Sequence, residues 1–133
     1  MFRKFRMKFA RKEDAARVAE LFREINSKAS KSDIEELIQK RKVVVFFKKK
    51  KIAGAFSFAL FGAGFLSFLY IRKLAVDKKL RGKGLGSVVL QRIKKFSLRQ
   101  KAGGFFLWSI TQAVGFYRKN RLSNLGRIFW WWK

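Results

Sequence analysis

The residues best placed to do chemistry are Arg81-Gly82-Lys83-Gly84-Leu85-Gly86, followed by Ser87. They stand between an apolar run ending Leu74-Ala75-Val76 and a run with helical spacing. Amides at the start of a helix have no partner within it, and the positive end of the helix dipole lies there, so such a start holds anions. Glycines let the chain take positive φ and let phosphate oxygens approach the amides closely. Arg81 and Lys83 add charge. The pattern therefore points to a phosphate-bearing ligand, most simply a diphosphate. It is not a Walker loop, which needs G-x-x-x-x-G-K-[ST]. It is not a dinucleotide fingerprint either, because Gly82-x-Gly84-x-Gly86 has the wrong spacing. Taken alone it also fits a helix entry whose glycines serve close packing.

Composition removes several other chemistries. The 133 residues contain no His and no Cys. Imidazole bases, thiol nucleophiles, thiolate metal sites and disulfides are thereby excluded. The length suits one domain, residues 1–133, with a core of its own. No apolar segment follows the charged N-terminus as a secretory signal requires, so the expected location is cytoplasmic. Thirty-three Lys and Arg against eight Asp and Glu give a net charge of +25. A surplus of that size suits a polyanionic partner: nucleic acid, ribosome, anionic membrane or an acidic protein.

The elements that position the glycine run follow from periodicity. Phe5, Met7 and Phe9 alternate with Arg6 and Lys8 as a half-buried strand. Ala15, Val18, Leu21, Phe22 and Ile25 form the apolar stripe of a helix over 12–27. Ser32-Asp33-Ile34-Glu35 is a capping box that predicts a second helix starting at Asp33, with Ile34, Leu37 and Ile38 inward. Val43–Phe47 is a strand, and Lys48–Lys51 a charged turn. Residues 52–71 carry no charge. That length would serve a membrane-spanning helix. Gly62-Ala63-Gly64 falls at its middle, and Phe56, Phe58 and Leu60 alternate with Ala55, Ser57 and Ala59, so two strands around a turn are expected instead. Leu85, Val89, Ile93 and Phe96 mark a helix, which Gly103-Gly104 stops. Phe105–Ile110 is a strand, Thr111–Lys119 a short helix, and Gly126–Trp132 a closing strand. The expected fold is α/β: a mixed, mostly antiparallel sheet flanked by helices, in the order β-α-α-β-β-β-α-β-α-β.

Arg81, Gly84 and Gly86, preceded by Leu74-Ala75-Val76-Asp77, resemble the coenzyme A motif Q/R-x-x-G-x-G/A of the GNAT acetyltransferases. Ala113-Val114-Gly115-Phe116-Tyr117 resembles the A-x-x-F-Y segment on the last helix of that family. The element order from residue 5 to 132 agrees as well. The resemblance implies an acetyl-coenzyme A-dependent N-acetyltransferase that passes the acetyl group directly to a primary amine. It implies that the amides of Arg81, Gly82, Lys83, Gly84, Leu85, Gly86 and Ser87 hold the pyrophosphate. It further implies that the backbone of Leu74, Ala75 and Val76 pairs with the pantetheine arm, and that Tyr117 gives a proton to the leaving thiolate.

The chain departs from the family at its base. Family members often carry a Glu on the strand before the glycine loop, and "FLSFLYIRKLAV" has none. Glu24, Asp77 and Tyr70 are the remaining groups, each with a plain structural use: a solvated helix charge, a turn cap paired with Lys78 or Lys79, and a core ring. Water is a further route for the proton. Ile110-Thr111-Gln112 replaces the usual Asn, and the 16 residues after Tyr117 leave room for one strand rather than a hairpin. Trp130-Trp131-Trp132 cannot all face one core, because side chains on a strand alternate. An exposed ring there suits a homodimer edge, an acceptor site or a stacking platform for bases. The charge suggests an acceptor amine on an acidic or RNA-associated macromolecule, a protein or an aminoacyl-tRNA. Two other readings stay open at this point: a non-catalytic, basic nucleic-acid-binding protein, and a small membrane protein spanning 52–71.

Overall fold

A computed structural model of the chain describes residues 5–25, 28–80, 84–109 and 113–133, the side chain of residue 65 excepted. The elements are β1 (Phe5–Phe9), a 3-10 turn (Lys12–Asp14), α1 (Ala15–Glu24), α2 (Lys31–Gln39), β2 (Val43–Lys48), β3 (Lys51–Phe61), β4 (Phe68–Val76), α3 (Leu85–Arg99), β5 (Gly104–Trp108), α4 (Val114–Lys119), β6 (Ser123–Leu125) and β7 (Ile128–Trp132). The strands form one sheet in the order β1-β2-β3-β4-β5-β7-β6. β1/β2, β2/β3, β5/β7 and β6/β7 pair antiparallel, and β4/β5 pair parallel. This is the mixed, mostly antiparallel sheet expected, with one strand added.

The added strand is β6. It pairs with β7 from Ser123↔Trp130 to Leu125↔Ile128, so the chain closes on a hairpin after all. Three residues are too few to show alternation. The turn rests on Gly126 at φ +60° and on Asn124 Nδ2 donating to the Gly126 carbonyl at 3.1 Å. Residues 52–71 divide between β3 and β4, as the alternation and the central glycines indicated. Gly62 makes that bend at φ +88°, where a Cβ would run into the Leu66 carbonyl. Among the described residues no helix is long and apolar enough to cross a membrane.

The chain divides into two compact units, Met1–Phe58 with Lys73–Gly86, and Ala59–Arg72 with Ser87–Lys133. In the first, the stripe of α1 is buried at Ala15, Val18, Ala19, Leu21 and Phe22. It joins Ile34 and Ile38 of α2, Val43 and Val45 of β2, Ala55 of β3 and Ala75 of β4 in one core cluster. α2 begins two residues earlier than the capping box at Ser32 predicts. Ser30 is its N-cap, its Oγ accepting from the Asp33 amide at 3.1 Å. Either serine could cap in principle. With Ser30 as cap, Asp33 stands in the first turn, where a carboxylate favours the helix dipole. In the second unit Val89, Leu90, Ile93 and Phe96 of α3 are buried, as are Phe105 and Leu107 of β5, Tyr117 of α4 and Phe129 of β7.

Candidate active site

In the first unit, the end of β4 is held from three directions. Ala75 is buried in the core cluster, while Leu74 and Val76 are half-buried. On the β3 side, the Asp77 amide donates to the Ala53 carbonyl at 2.8 Å. Beside it, a Cβ on Gly54 would lie 2.7 Å from the Ala75 carbonyl oxygen. Only glycine allows β3 to approach β4 that closely. On the α1 side, Arg17 Nη2 meets Asp77 Oδ2 at 2.7 Å, and Arg17 Nη1 meets Glu20 Oε1 at 2.8 Å. The other Asp77 oxygen accepts from the Lys79 amide at 3.0 Å. The segment leaving β4 is thus fixed before the glycine run begins.

The parallel ladder of β4 with β5 runs from Phe68↔Gly104 to Ile71↔Leu107 and stops there. β4 itself continues to Val76. A strand that outlasts its ladder offers backbone donors and acceptors to an extended partner.

A 3-10 turn at Lys78–Leu80 leads toward the glycine run. Arg81, Gly82 and Lys83 lie outside the described residues. Gly84 adopts φ +82°, which a residue with a side chain rarely takes, and its Cβ position has nothing within 4 Å. Leu85 opens α3 and is 1% exposed, anchoring the first turn, while Ser87 is exposed on that turn. No acidic residue occupies the first turn. The amides at the start of α3 have no partner within the helix, by helix geometry. With glycine at the entry and no carboxylate to repel an anion, this start fits a diphosphate.

In the second unit, Tyr117 is the buried residue of α4. Its ring packs against Phe129 at 5.3 Å and Phe116 at 5.2 Å between centroids. Burial raises its phenol from 10.0 to about 12, so it stays protonated across the physiological range. Among the described residues nothing hydrogen-bonds the Tyr117 hydroxyl. A core tyrosine ordinarily finds a backbone partner for that group.

The three groups considered as bases sit as follows. Asp77 caps a turn, as expected, but its ionic partner is Arg17 rather than Lys78 or Lys79. Glu24 is exposed at the last position of α1. Tyr70 is stacked on Phe106 at 4.6 Å. Two positioning residues escaped the sequence reading. Gly54 had a signal, a lone glycine inside an apolar strand. Arg17 had none, since its partner is 60 residues away.

A parallel pair of strands that stops before β4 does, followed by a glycine-entered helix, agrees with the class that the sequence resemblance implies, an acyltransferase fold for a coenzyme A thioester. The comparisons agree. The family described as "Acetyltransferase (GNAT) domain" matches residues 9–120. The chain belongs to the GNAT acetyltransferase family, and acetyl-coenzyme A is its acetyl donor. Arabidopsis thaliana NAA60, solved with a bisubstrate analogue, superposes with a TM-score of 0.79 at 12% identity, covering 96% of this chain and 97% of that one. An aminoglycoside acetyltransferase from an uncultured soil metagenomic sample, solved with trehalose, gives 0.74 at 17% identity over 94% and 93% of the chains. N-acetylglutamate synthase from Neisseria gonorrhoeae, solved with coenzyme A and N-acetyl-glutamate, gives 0.72 at 18% identity, covering 86% of this chain and 27% of that one. No curated protein matches at the level of sequence.

Proposed function

We propose that the chain, working as one domain over residues 1–133, is an N-acetyltransferase whose acceptor is a primary amine on an acidic or RNA-associated macromolecule. Acetyl-coenzyme A supplies an activated thioester carbonyl. The amides from Arg81 to Ser87 hold its pyrophosphate, and the backbone of Leu74, Ala75 and Val76 receives the pantetheine arm. The observation that carries this reading is the Gly84 turn at φ +82° opening α3 directly after the pinned end of β4.

In the transfer, the amine nitrogen forms a bond to the acetyl carbon as the carbon–sulfur bond breaks. The amine reacts as its free base: the nitrogen gives up one proton to water as the amide forms, and the departing sulfur takes one from water, so acid is released only where the acceptor arrives as an ammonium. Tyr117, held neutral to about pH 12, donates to the departing sulfur. That no described residue hydrogen-bonds its hydroxyl supports that role. Because a thiol near pKa 8.5 is the stronger acid, the phenol acts chiefly as a hydrogen-bond donor. Asp77 stays with Arg17 and is not the base. The net charge of +25 favours an anionic acceptor and repels polycationic ones such as aminoglycosides.

The test is thiol release from acetyl-coenzyme A with acidic and RNA-bound amine acceptors. Tyr117→Phe should slow transfer by about 10- to 10⁴-fold while leaving acetyl-coenzyme A affinity unchanged. Equal rates would remove Tyr117 from the mechanism.

A further inference from the structure

The second unit combines cations with exposed aromatic surface and lacks side-chain carboxylates. All eight Asp and Glu of the chain lie in the first unit. The second holds eleven Lys and Arg and no side-chain carboxylate. Its strands are apolar on both sides. One side is buried through Phe105, Leu107 and Phe129. By strand alternation the other carries Phe68 and Tyr70 of β4, Phe106 and Trp108 of β5, and Trp130 and Trp132 of β7. The register aligns them across the sheet: Tyr70↔Phe106↔Trp130 in one row and Phe68↔Gly104↔Trp132 in the next. Tyr70 and Phe106 stack at 4.6 Å with planes 11° apart. Gly104 contributes no side chain to its row. An open hollow of about 300 Å³ is lined there by Phe68, Phe105, Phe106, Trp130 and Trp132. Trp108, Trp130 and Trp132 remain 59%, 38% and 49% exposed.

We infer that this aromatic face binds single-stranded nucleic acid, its rings stacking on bases and the cations around it holding phosphates. Arg72 stands two residues beyond Tyr70 on the same side of β4. Arg127 and Lys133 are exposed immediately before and after β7. Two arguments select this occupant. First, flat rings presented side by side match the flat faces of bases, and only a single strand has those faces free; a duplex buries them. Second, the charge is complementary to a polyanion. A second copy docking face to face would bring eleven cations against eleven, with no side-chain carboxylate in either unit to pair with them. The surface is independent of acetyl transfer and serves whether or not the acceptor is bound there.

The experiment is a fluorescence-anisotropy titration of a labelled single-stranded oligothymidylate of about 12 nucleotides, alongside an abasic strand of equal length. The thymidylate strand should bind far more tightly than the abasic one, quench tryptophan emission, and weaken linearly in log K with log salt. Trp130→Ala and, separately, Trp108→Ala should each weaken binding by about 5- to 150-fold. Arg72→Glu should lower the salt slope. All three variants should keep wild-type acetyl-coenzyme A affinity, which separates this inference from the acetyl-transfer reading and from loss of fold. Equal affinity for the abasic strand would overturn the inference, as would wild-type binding by both tryptophan variants. A concentration-dependent dimer that Trp130→Ala dissociates and the oligonucleotide does not would overturn it too.

Discussion

The two compact units differ in how they treat charge. In the first, carboxylates are used as fasteners: Arg17 bridges Glu20 and Asp77, Asp77 caps the turn after β4, and Glu36 meets Lys40 at 3.2 Å. The second has no carboxylate to use. It is held by buried rings and aliphatic side chains, and it leaves three tryptophans in water. A chain this basic therefore handles its charge in two ways, by ion pairs where a strand end must be fixed, and, in the second unit, by cations with no side-chain carboxylate of that unit beside them, where an anionic partner can meet them. The difference teaches that net charge alone is a poor guide to partners; its distribution is what carries information.

The largest expected effect tests the fastening of β4. Gly54→Val places a side chain 2.7 Å from the Ala75 carbonyl oxygen, and backbone must move to admit it. Denaturant unfolding should show a loss of about 3 kcal/mol, and acetyl-coenzyme A affinity should fall with it. An unchanged affinity would separate the β4 end from the donor site.

Next in size is the alkaline behaviour of the second unit. The Tyr117 phenol is raised to about 12, so the folded state retains a proton that the unfolded chain loses from pH 10 upward. The stabilisation is fully present below pH 10 and is lost as pH rises to 12, a fall of about 2 kcal/mol by that point. Tyr117→Phe should abolish this component. Identical alkaline profiles for the two proteins would mean that Tyr117 is not buried as described.

The smallest effect belongs to the ion pair. Arg17 and Asp77 side chains are 30% and 20% exposed, so solvent screens them in part. Arg17→Ala should cost about 1 kcal/mol in thermal unfolding, less at high salt. The same change at an unpaired cation of the second unit, Arg127→Ala, should cost nothing measurable.

What the sequence revealed tracks the range of each interaction. α1 and the strands from β2 to β5 rest on side-chain periodicity, which is local, and they appear within a few residues of the expected bounds. α2 starts two residues early because two serines offer the same cap and Ser30, not Ser32, takes it. β6 was missed because a three-residue strand exists only through its pairing with β7. Within the site, the glycine run and Tyr117 were found through motif and spacing. Gly54 and Arg17 act on β4 across the fold, and no local pattern announces such contacts. The Arg17–Asp77 fastener and the full aromatic face are assembled from segments far apart in sequence, and a local pattern shows only one piece of each.

The central claim is that the start of α3, entered through Gly84, holds the diphosphate of acetyl-coenzyme A. Calorimetric titration addresses it directly, with acetyl-coenzyme A and with an acetylated pantetheine lacking the diphosphate. Acetyl-coenzyme A should bind at least about 100-fold more tightly than the truncated thioester, because charge-assisted hydrogen bonds from several amides are lost together. Gly84→Val should bring acetyl-coenzyme A down to the truncated level. Equal affinities for the two ligands, or wild-type affinity in Gly84→Val, would contradict the account.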